Sequence, residues 1–336
     1  MGRGILITVI GVSLITAFLV LKLNANSKQG LKTTVDYYEL TQARLIANSG
    51  VEVYLEKLRR NKTLSGNFKG IDLMDGTYDI SISGPDSQLT ITSTSHFGNT
   101  NHQVIVTARR EPAVMPKVNG SLYLSSDTLG VKLQGDLEID GNDTNIDGTP
   151  GPESPLPGIA VDDPLDSAYV INNLKPKISN DIEGLGGSPS VQTVNDPTDW
   201  EEVTENLIFS SDYTLASGTY STGTVLGTFA EPKITYVTGD VEFSGTATGS
   251  GIMIINGNVT MSGEFSYYGM LIVYGQSTIN TDIVGNGGIY GSTALVGNTV
   301  DIKATGNASF FYSSQAISNA QFKMKSSRFD VLSWWE

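Results

Sequence analysis

An imperfect repeat of about 18 residues constrains the fold of this chain more than any other feature. Copies begin at residues 234, 252 and 270, and a looser copy spans residues 295–302. Residues at equal phase match in character: Ile234, Ile252 and Met270; Tyr236, Ile254 and Ile272; Phe243, Met261 and Ile279. A chain that advances by one strand layer per repeat stacks such residues about 4.8 Å apart in apolar columns.

The repeat predicts a parallel β-helix, right-handed because parallel crossover connections are almost always right-handed. Gly239, Gly257 and Gly275 recur where each coil is expected to bend. Residues 120–141 carry a similar pattern and are predicted to form an earlier rung or a cap of the same stack. A β-sandwich is the alternative, and the regular period weighs against it.

Composition excludes several classes of function. The net charge of -14 disfavours a nucleic-acid groove, because phosphate contacts need clustered Lys and Arg. The chain has no cysteine, which excludes a disulfide framework, thiolate catalysis and thiolate zinc sites.

An uncharged apolar stretch opens the chain, from Ile5 to Leu21. As a helix it is about 26 Å long, close to the roughly 30 Å of a hydrocarbon core. A cleaved secretory signal is the rival interpretation, but its apolar core is shorter, about 7–15 residues, and a small-residue cleavage site follows it. The stretch therefore predicts a retained transmembrane anchor.

Helical periodicity continues beyond this stretch. Ala47, Val51, Leu55 and Leu58 form a stripe on one helix face, and no proline occurs before residue 85. The pattern predicts one long helix over residues 5–60. A membrane stalk or a dimeric coiled coil would have the same pattern.

The N-terminal region resembles the helix of PilX-type type IV pilus assembly proteins, which are minor pilin-like. The resemblance rests on a short leader that ends at Gly4, an apolar start at Ile5, and the run Ala-Arg-Leu-Ile-Ala-Asn-Ser-Gly-Val-Glu at residues 43–52. It implies that a prepilin peptidase removes residues 1–4 by cutting after Gly4, so that Ile5 becomes the new N-terminus.

One position departs from the pilin pattern. Most pilins have Glu at the fifth mature position, where its carboxylate meets the terminal amine of a neighbouring subunit inside the lipid. Here that position is Val9. Without the carboxylate, the subunit cannot neutralise the amine of a subunit ahead of it. The departure argues against a major pilin and for a minor or initiating one.

Residues 61–111 are predicted to form a small antiparallel sheet. Apolar residues alternate with polar ones over three runs, near residues 78–82, 89–91 and 104–106, with turn sequences between them. One face of this three-stranded meander is expected to pack on the apolar stripe of the helix. The run from residue 76 to residue 109 also resembles the segment that follows the PilX-type helix.

The C-terminal half resembles the β-helical region that follows PilX-type N-termini in a family of little-characterised proteins. The predicted β-helix covers residues 118–325, with an acidic loop insert at residues 140–200. Residues 326–336, which include Phe329, Trp334 and Trp335, are predicted to cap the open last coil. The predicted fold class is therefore mainly β with a long N-terminal α-helix, a small antiparallel meander and then a right-handed parallel β-helix.

The acidic insert contains a partial calcium motif. Asp143, Asn145 and Asp147 occupy positions 1, 3 and 5 of such a loop, and Gly148 occupies position 6. Position 12 should be Glu but is Ser154. A calcium site and a loop rich in Asx turns therefore both stay open. No other cofactor is expected.

The sequence predicts no enzyme and no catalytic residue. A hydrolase needs two carboxylates that face one substrate, yet Asp240 aligns with Asn258 and Gln276 in the repeat, so no carboxylate column forms. Asp282 and Asp301 stay open as members of a pair. Residues 111–327 contain no Arg and no His, which removes the usual bases of a lyase that acts on acidic sugars.

Together these features predict a membrane-anchored structural subunit of a type IV pilus-like assembly, with a single pass through the inner membrane and an exported C-terminal body. Its expected partners are other pilin-like subunits, inner-membrane lipid and a prepilin peptidase, with no nucleic acid. A standalone anchored adhesin or glycan-binding β-helix is the main alternative. A bactofilin-like polymer, with its β-helix in the cytoplasm, is the third.

Overall fold

The computed structural model describes residues 2–112, 115–221, 223–285 and 287–336. The chain divides into two compact units. Unit one comprises Met1–Arg110 with Arg328–Glu336, and unit two comprises Glu111–Ser327. The predicted fold class is confirmed, since a long N-terminal helix is followed by an antiparallel sheet and then by parallel strands.

Unit one consists of a long helix and a five-stranded sheet. The helix is α1 (Gly2–Arg60). The strands are β1 (Gly66–Leu73), β2 (Gly76–Ser83), β3 (Leu89–Phe97), β4 (Thr100–Pro112) and β21 (Lys325–Trp335). Their spatial order is β1-β2-β3-β4-β21, so the predicted meander is present as β2, β3 and β4, with one additional strand on each side.

The C-terminal part of α1 packs on this sheet, as its apolar stripe predicts. Ala47, Val51 and Leu58 are buried, and Leu55 packs against the same cluster while partly exposed. Gly50 allows the close approach, because a Cβ there would lie 2.7 Å from the Tyr78 ring. The helix is therefore part of the hydrophobic core of unit one.

The C-terminal strand β21 lies beside β4 at the edge of this sheet, which corrects the prediction that residues 326–336 cap the last coil. Contacts of Arg110 help to hold β21 at this edge. Its guanidinium lies 4.3 Å from the centroid of the Phe329 ring, donates to Asp86 at 3.0 Å, and is almost completely buried. Trp334 donates its indole N–H to Asn48 of α1 at 2.8 Å. Trp334 and Trp335 are themselves exposed, at 37% and 68%, so pairing with β4 and the contact between Phe329 and Arg110, rather than stacking on a coil, place this segment.

Within its described residues, unit two contains parallel strands of 2 to 20 residues and four helices. The strands are β5 (Leu122–Ser125), β6 (Thr128–Leu133), β7 (Glu138–Asp140), β8 (Ile159–Val161), β9 (Ile182–Glu183), β10 (Val191–Thr193), β11 (Tyr213–Leu215), β12 (Gly218–Tyr220), β13 (Val225–Leu226), β14 (Lys233–Val237), β15 (Val241–Phe243), β16 (Thr248–Asn256), β17 (Val259–Gly263), β18 (Ser266–Gly285), β19 (Gly288–Gly306) and β20 (Ser309–Tyr312). The helices are α2 (Pro164–Asn173), α3 (Pro176–Asn180), α4 (Trp200–Phe209) and α5 (Ser314–Lys323).

These strands pair in three parallel ladders. The first ladder has the order β10-β8-β5-β19-β18-β16-β14-β11. The second joins β12, β15, β17, β18, β19 and β6, and the third joins β13, β16, β18, β19, β20, β7 and β9. Parallel pairing of this kind is what a parallel β-helix requires, and the β-helix itself and its right-handed winding stay predictions.

Register confirms two of the predicted columns and corrects the third. Ile234 pairs with Ile252, which pairs with Met270, and the column through Tyr236 follows the same register. Met261, however, pairs with Ile283 rather than Ile279. The coil that begins at Ser266 is longer than its predecessor, since Ser266 pairs with Gly288, and a register shift follows Gly275. The additional residues in this coil change which of its apolar side chains lies in register with Met261.

The coils are not stacked in chain order. Residues 120–141, expected as an earlier rung or cap, contribute β5 and β6, which pair with β19 of the last coil. The chain therefore enters the stack in its middle and winds to one end through β8 and β10. It then crosses to the other end and winds back until β20 lies beside β7.

The acidic insert at residues 140–200 is more regular than predicted. It contributes β8 and β10 to the first ladder and β9 to the third, and it contains α2 and α3. Apolar residues of its strands, such as Ile159, Val161 and Ile182, are completely buried. Burial against existing coils, rather than periodicity within the segment, produces these strands.

Two helices, α4 and α5, cover the outer face of the first ladder. A buried cluster joins residues of both helices, such as Leu207 and Ala320, to outward-facing strand residues such as Ile254 and Ile272. A second buried cluster fills the interior of the coils. The repeat strands are apolar on both faces because both faces are buried.

Candidate membrane anchor and assembly surface

The N-terminal part of α1 is apolar and exposed. Every large apolar side chain from Leu6 to Leu23 has at least half of its surface accessible. They are Leu6, Ile7, Val9, Ile10, Val12, Leu14, Ile15, Phe18, Leu19, Val20, Leu21 and Leu23. Such a surface is unfavourable in water, since each buried CH₂ is worth about 0.8 kcal/mol. The surface needs an apolar environment.

By length and composition, this part of the helix can cross a membrane, and none of its most apolar window is buried in the protein. Its side chains point in all directions around the helix axis, which suits lipid or other helices better than one flat partner. A signal sequence near an N-terminus has the same properties. The geometry therefore establishes a candidate span.

The predicted processing residues lie at the start of this helix. The backbone of Gly4 and Ile5 is helical, and cleavage between them stays a prediction. Val9, at the position where most pilins have Glu, is 57% exposed. The Lys22 ammonium lies 5.5 Å from the centroid of the Phe18 ring, at the end of the apolar stretch where a snorkelling lysine is expected.

Asp143, the first predicted calcium ligand, acts as a capping residue at the N-terminus of α5. Its carboxylate accepts hydrogen bonds from the backbone N–H and the hydroxyl of Ser314 at 2.8 and 2.6 Å, and from the N–H of Glu153 at 2.9 Å. The residue is 6% exposed. Burial, and then the charges of Asp143 and Glu153, raise the pKa of Tyr312 to about 12. Asp143 therefore links the insert to α5.

The other two predicted ligands make local contacts. Asn145 donates to the Thr149 hydroxyl and to the Pro150 carbonyl, both at 3.1 Å. Asp147 accepts from the hydroxyl and the backbone N–H of Thr149, and these bonds lower its pKa. Among the described residues, no group of three or more His, Cys, Asp or Glu side chains is placed to hold a metal ion. The calcium site stays a prediction.

We expect Asp143→Ala to destabilise the chain by about 2 kcal/mol, because Ser314 and Glu153 lose a buried, charged acceptor. Asp147→Ala should leave stability unchanged, since this exposed carboxylate serves only its own turn. Urea unfolding of the detergent-solubilised chain, with and without calcium, measures both effects. Equal losses in the two variants, together with stabilisation of the wild type by calcium, would instead support the calcium loop.

The aspartates that stayed open as a catalytic pair are not register partners. Asp282 lies opposite Lys303, and Asp301 lies opposite Asn280. Asp240 accepts a hydrogen bond from the backbone N–H of Asn258 at 2.7 Å, which joins two successive coils. These positions assign a structural role to Asp240.

Comparisons with known proteins add little to this geometry. No family model and no curated protein sequence matches the chain. Among solved structures, the chain is similar to the competence-associated pilin ComZ from Thermus thermophilus, with 11% identity and a TM-score of 0.25. This similarity covers 88% of this chain and 97% of that chain. Because this score is too low to indicate a common fold, the function has to be argued from the residues of the chain itself.

Proposed function

We propose that this chain is a non-enzymatic, membrane-anchored structural subunit of a type IV pilus-like assembly, of the minor pilin or pseudopilin kind. It assembles through the apolar part of α1 and displays unit two outside the membrane. The expected partners are other pilin-like subunits, inner-membrane lipid and a prepilin peptidase. The chain crosses the inner membrane once, and its body is exported.

One observation carries the proposal: a single unbroken helix has two different surfaces. Residues 6–23 are exposed and apolar, whereas Ala47, Val51 and Leu58 of the same helix are buried in the core of unit one. A signal sequence is removed and has no reason to continue as a core helix. A helix that continues in this way holds the folded unit rigidly at the end of a membrane rod.

The connectivity of unit one also favours display. Its sheet is completed by β21 after the chain has passed through the whole of unit two. Unit two is thus an insertion between neighbouring strands, so it can vary without interrupting the helix. The absence of a carboxylate at Val9 favours a minor or initiating subunit over a major one.

Mass spectrometry of the mature N-terminus tests the proposal. In a host with a prepilin peptidase we expect Met1–Gly4 to be removed, so that the chain begins at Ile5. Gly4→Val should block this cleavage, and Gly2→Val, a change in the same leader, should not. Cleavage should also stop when the peptidase gene is deleted. An N-terminus that keeps Met1 in the peptidase-positive host would favour a standalone anchored protein.

That second candidate, an anchored glycan-binding β-helix, is favoured by one observation. Unit two contains a cleft of about 780 Å³, a volume within the usual range of ligand sites. Display on a pilus and binding in this cleft are compatible. The two candidates therefore differ in assembly, which the N-terminal cleavage measures.

A further inference from the structure

The cleft in unit two runs across five neighbouring strands of the first ladder. The residues Asp162, Ser125, Val296, Tyr274 and Asn256 line it. They follow one another along the ladder: Asp162 directly follows β8, and the others lie in register on β5, β19, β18 and β16. Neighbouring strands are about 4.8 Å apart, so the row is about 19 Å long. The cleft is therefore a groove with one position per coil.

Such a groove matches a linear polymer better than a compact ligand. Each coil presents the equivalent strand position to a bound chain. The distance between neighbouring coils, about 4.8 Å, is close to the length of one pyranose unit. The row mixes hydrogen-bonding groups with an aromatic and an aliphatic side chain. A sugar ring has the same mixture, with hydroxyls at its edge and C–H groups on its faces.

Aromatic groups form part of the wall. The Trp200 ring stacks on Tyr123 with centroids 5.9 Å apart, and its indole N–H donates to Asp196 at 2.9 Å. Both contacts hold the ring in place before any ligand arrives. Tyr274 lies further along the same row and is half-buried. Rigid aromatic surface of this kind costs little entropy on binding.

The charge of the lining is of one sign. Its carboxylates are Asp127, Asp162, Asp163, Asp166 and Glu201, and no Lys, Arg or His occurs among the described residues that line it. Burial, and then the charges of Asp162 and Asp163, raise the pKa of Asp166. The groove therefore disfavours acidic polymers and favours cationic groups.

We propose that this groove binds a linear glycan that carries free amino groups. The repeated row accommodates successive sugar units, Tyr274 contacts their C–H faces, and the carboxylates pair with the ammonium groups. Asp166 and Glu201 lie in the first turns of α2 and α4, where the helix dipole stabilises their charges.

Titration calorimetry on the full chain in detergent tests this with three probes of matched length. They are a β-1,4-linked glucosamine oligomer, its fully N-acetylated counterpart and a lysine oligomer. We expect the glucosamine oligomer to bind at least about tenfold more tightly than either of the others. Equal binding of the acetylated oligomer would overturn the role of the charge. Equal binding of the lysine oligomer would overturn the role of the sugar, and no binding at all would overturn the site.

Variants locate the binding. The double variant Asp166→Asn with Glu201→Gln, and separately Tyr274→Ala, should each weaken glucosamine binding about tenfold or more. Glu264→Gln removes an exposed acid of the coils that does not line the groove, and it should leave binding unchanged. Near-ultraviolet circular dichroism checks that each variant is folded. If the groove variants fold and still bind like the wild type, the assignment is wrong.

Discussion

Replacing Gly269 with alanine is expected to destabilise unit two by about 4 kcal/mol or more. Gly269 pairs with Gly251 on one side and Gly291 on the other. All three have a positive φ, between 125° and 144°, which L side chains rarely adopt. A Cβ on Gly269 would also overlap the carbonyl oxygen of Gly251. The strained backbone conformation and the steric overlap would therefore both destabilise the Gly269 variant.

Thermal unfolding of the detergent-solubilised chain, followed by far-ultraviolet circular dichroism, measures this effect. Gly239→Ala is the matched control, because its φ lies outside the left-handed range and its Cβ would meet only the Ser217 side chain, at 3.0 Å. The control should lose less than about 1 kcal/mol. Similar losses in the two variants would show that the column of Gly251, Gly269 and Gly291 does not limit the stacking of the coils.

Placing an aspartate in the middle of the apolar helix, with Leu14→Asp, is expected to remove most of the chain from the membrane. A carboxylate at the centre of a span costs about 3 kcal/mol, a large part of the several kcal/mol that favour insertion. Leu14 is 66% exposed, so the change removes no contact in the folded units. The fraction that stays with the membrane after alkaline carbonate extraction measures insertion.

Leu31→Asp is the control for this experiment. Leu31 is 68% exposed on the same helix but lies beyond the apolar stretch, so its substitution should leave extraction unchanged. If the Leu14 variant stays in the membrane as fully as the Leu31 variant, residues 6–23 do not form the anchor. The proposed assembly through this helix would then be wrong as well.

Residue patterns predicted the elements whose burial follows a simple period. The stripe of Ala47, Val51 and Leu58 identified the face of α1 that packs on the sheet. The column of Ile234, Ile252 and Met270 identified the register of successive coils. In both cases, side chains that recur at the same position of the helical or strand repeat are buried on the same face. This pattern can be read from one continuous segment of the sequence.

The groove and the corner glycines could not be found in the same way. Asn256 and Tyr274 occupy equal phases of the repeat, but Asp162 and Ser125 lie outside it and join the row only because β8 and β5 pair beside β19 in the first ladder. The repeat drew attention to Gly239, Gly257 and Gly275, whereas Gly251, Gly269 and Gly291 stack at positive φ. Every member of the second set has a positive φ, whereas in the first set Gly257 has one and Gly239 does not.

The sequence by itself determined that the chain has an apolar helix able to cross a membrane, a small antiparallel sheet and a stack of parallel strands, because each depends on periodicity within one segment. Only the tertiary structure decided that β5 pairs with β19 and that β21 completes the first sheet. A strand edge offers the same N–H and C=O groups to any partner. The choice among partners therefore depends on the side chains that each pairing buries, and these come from the whole chain.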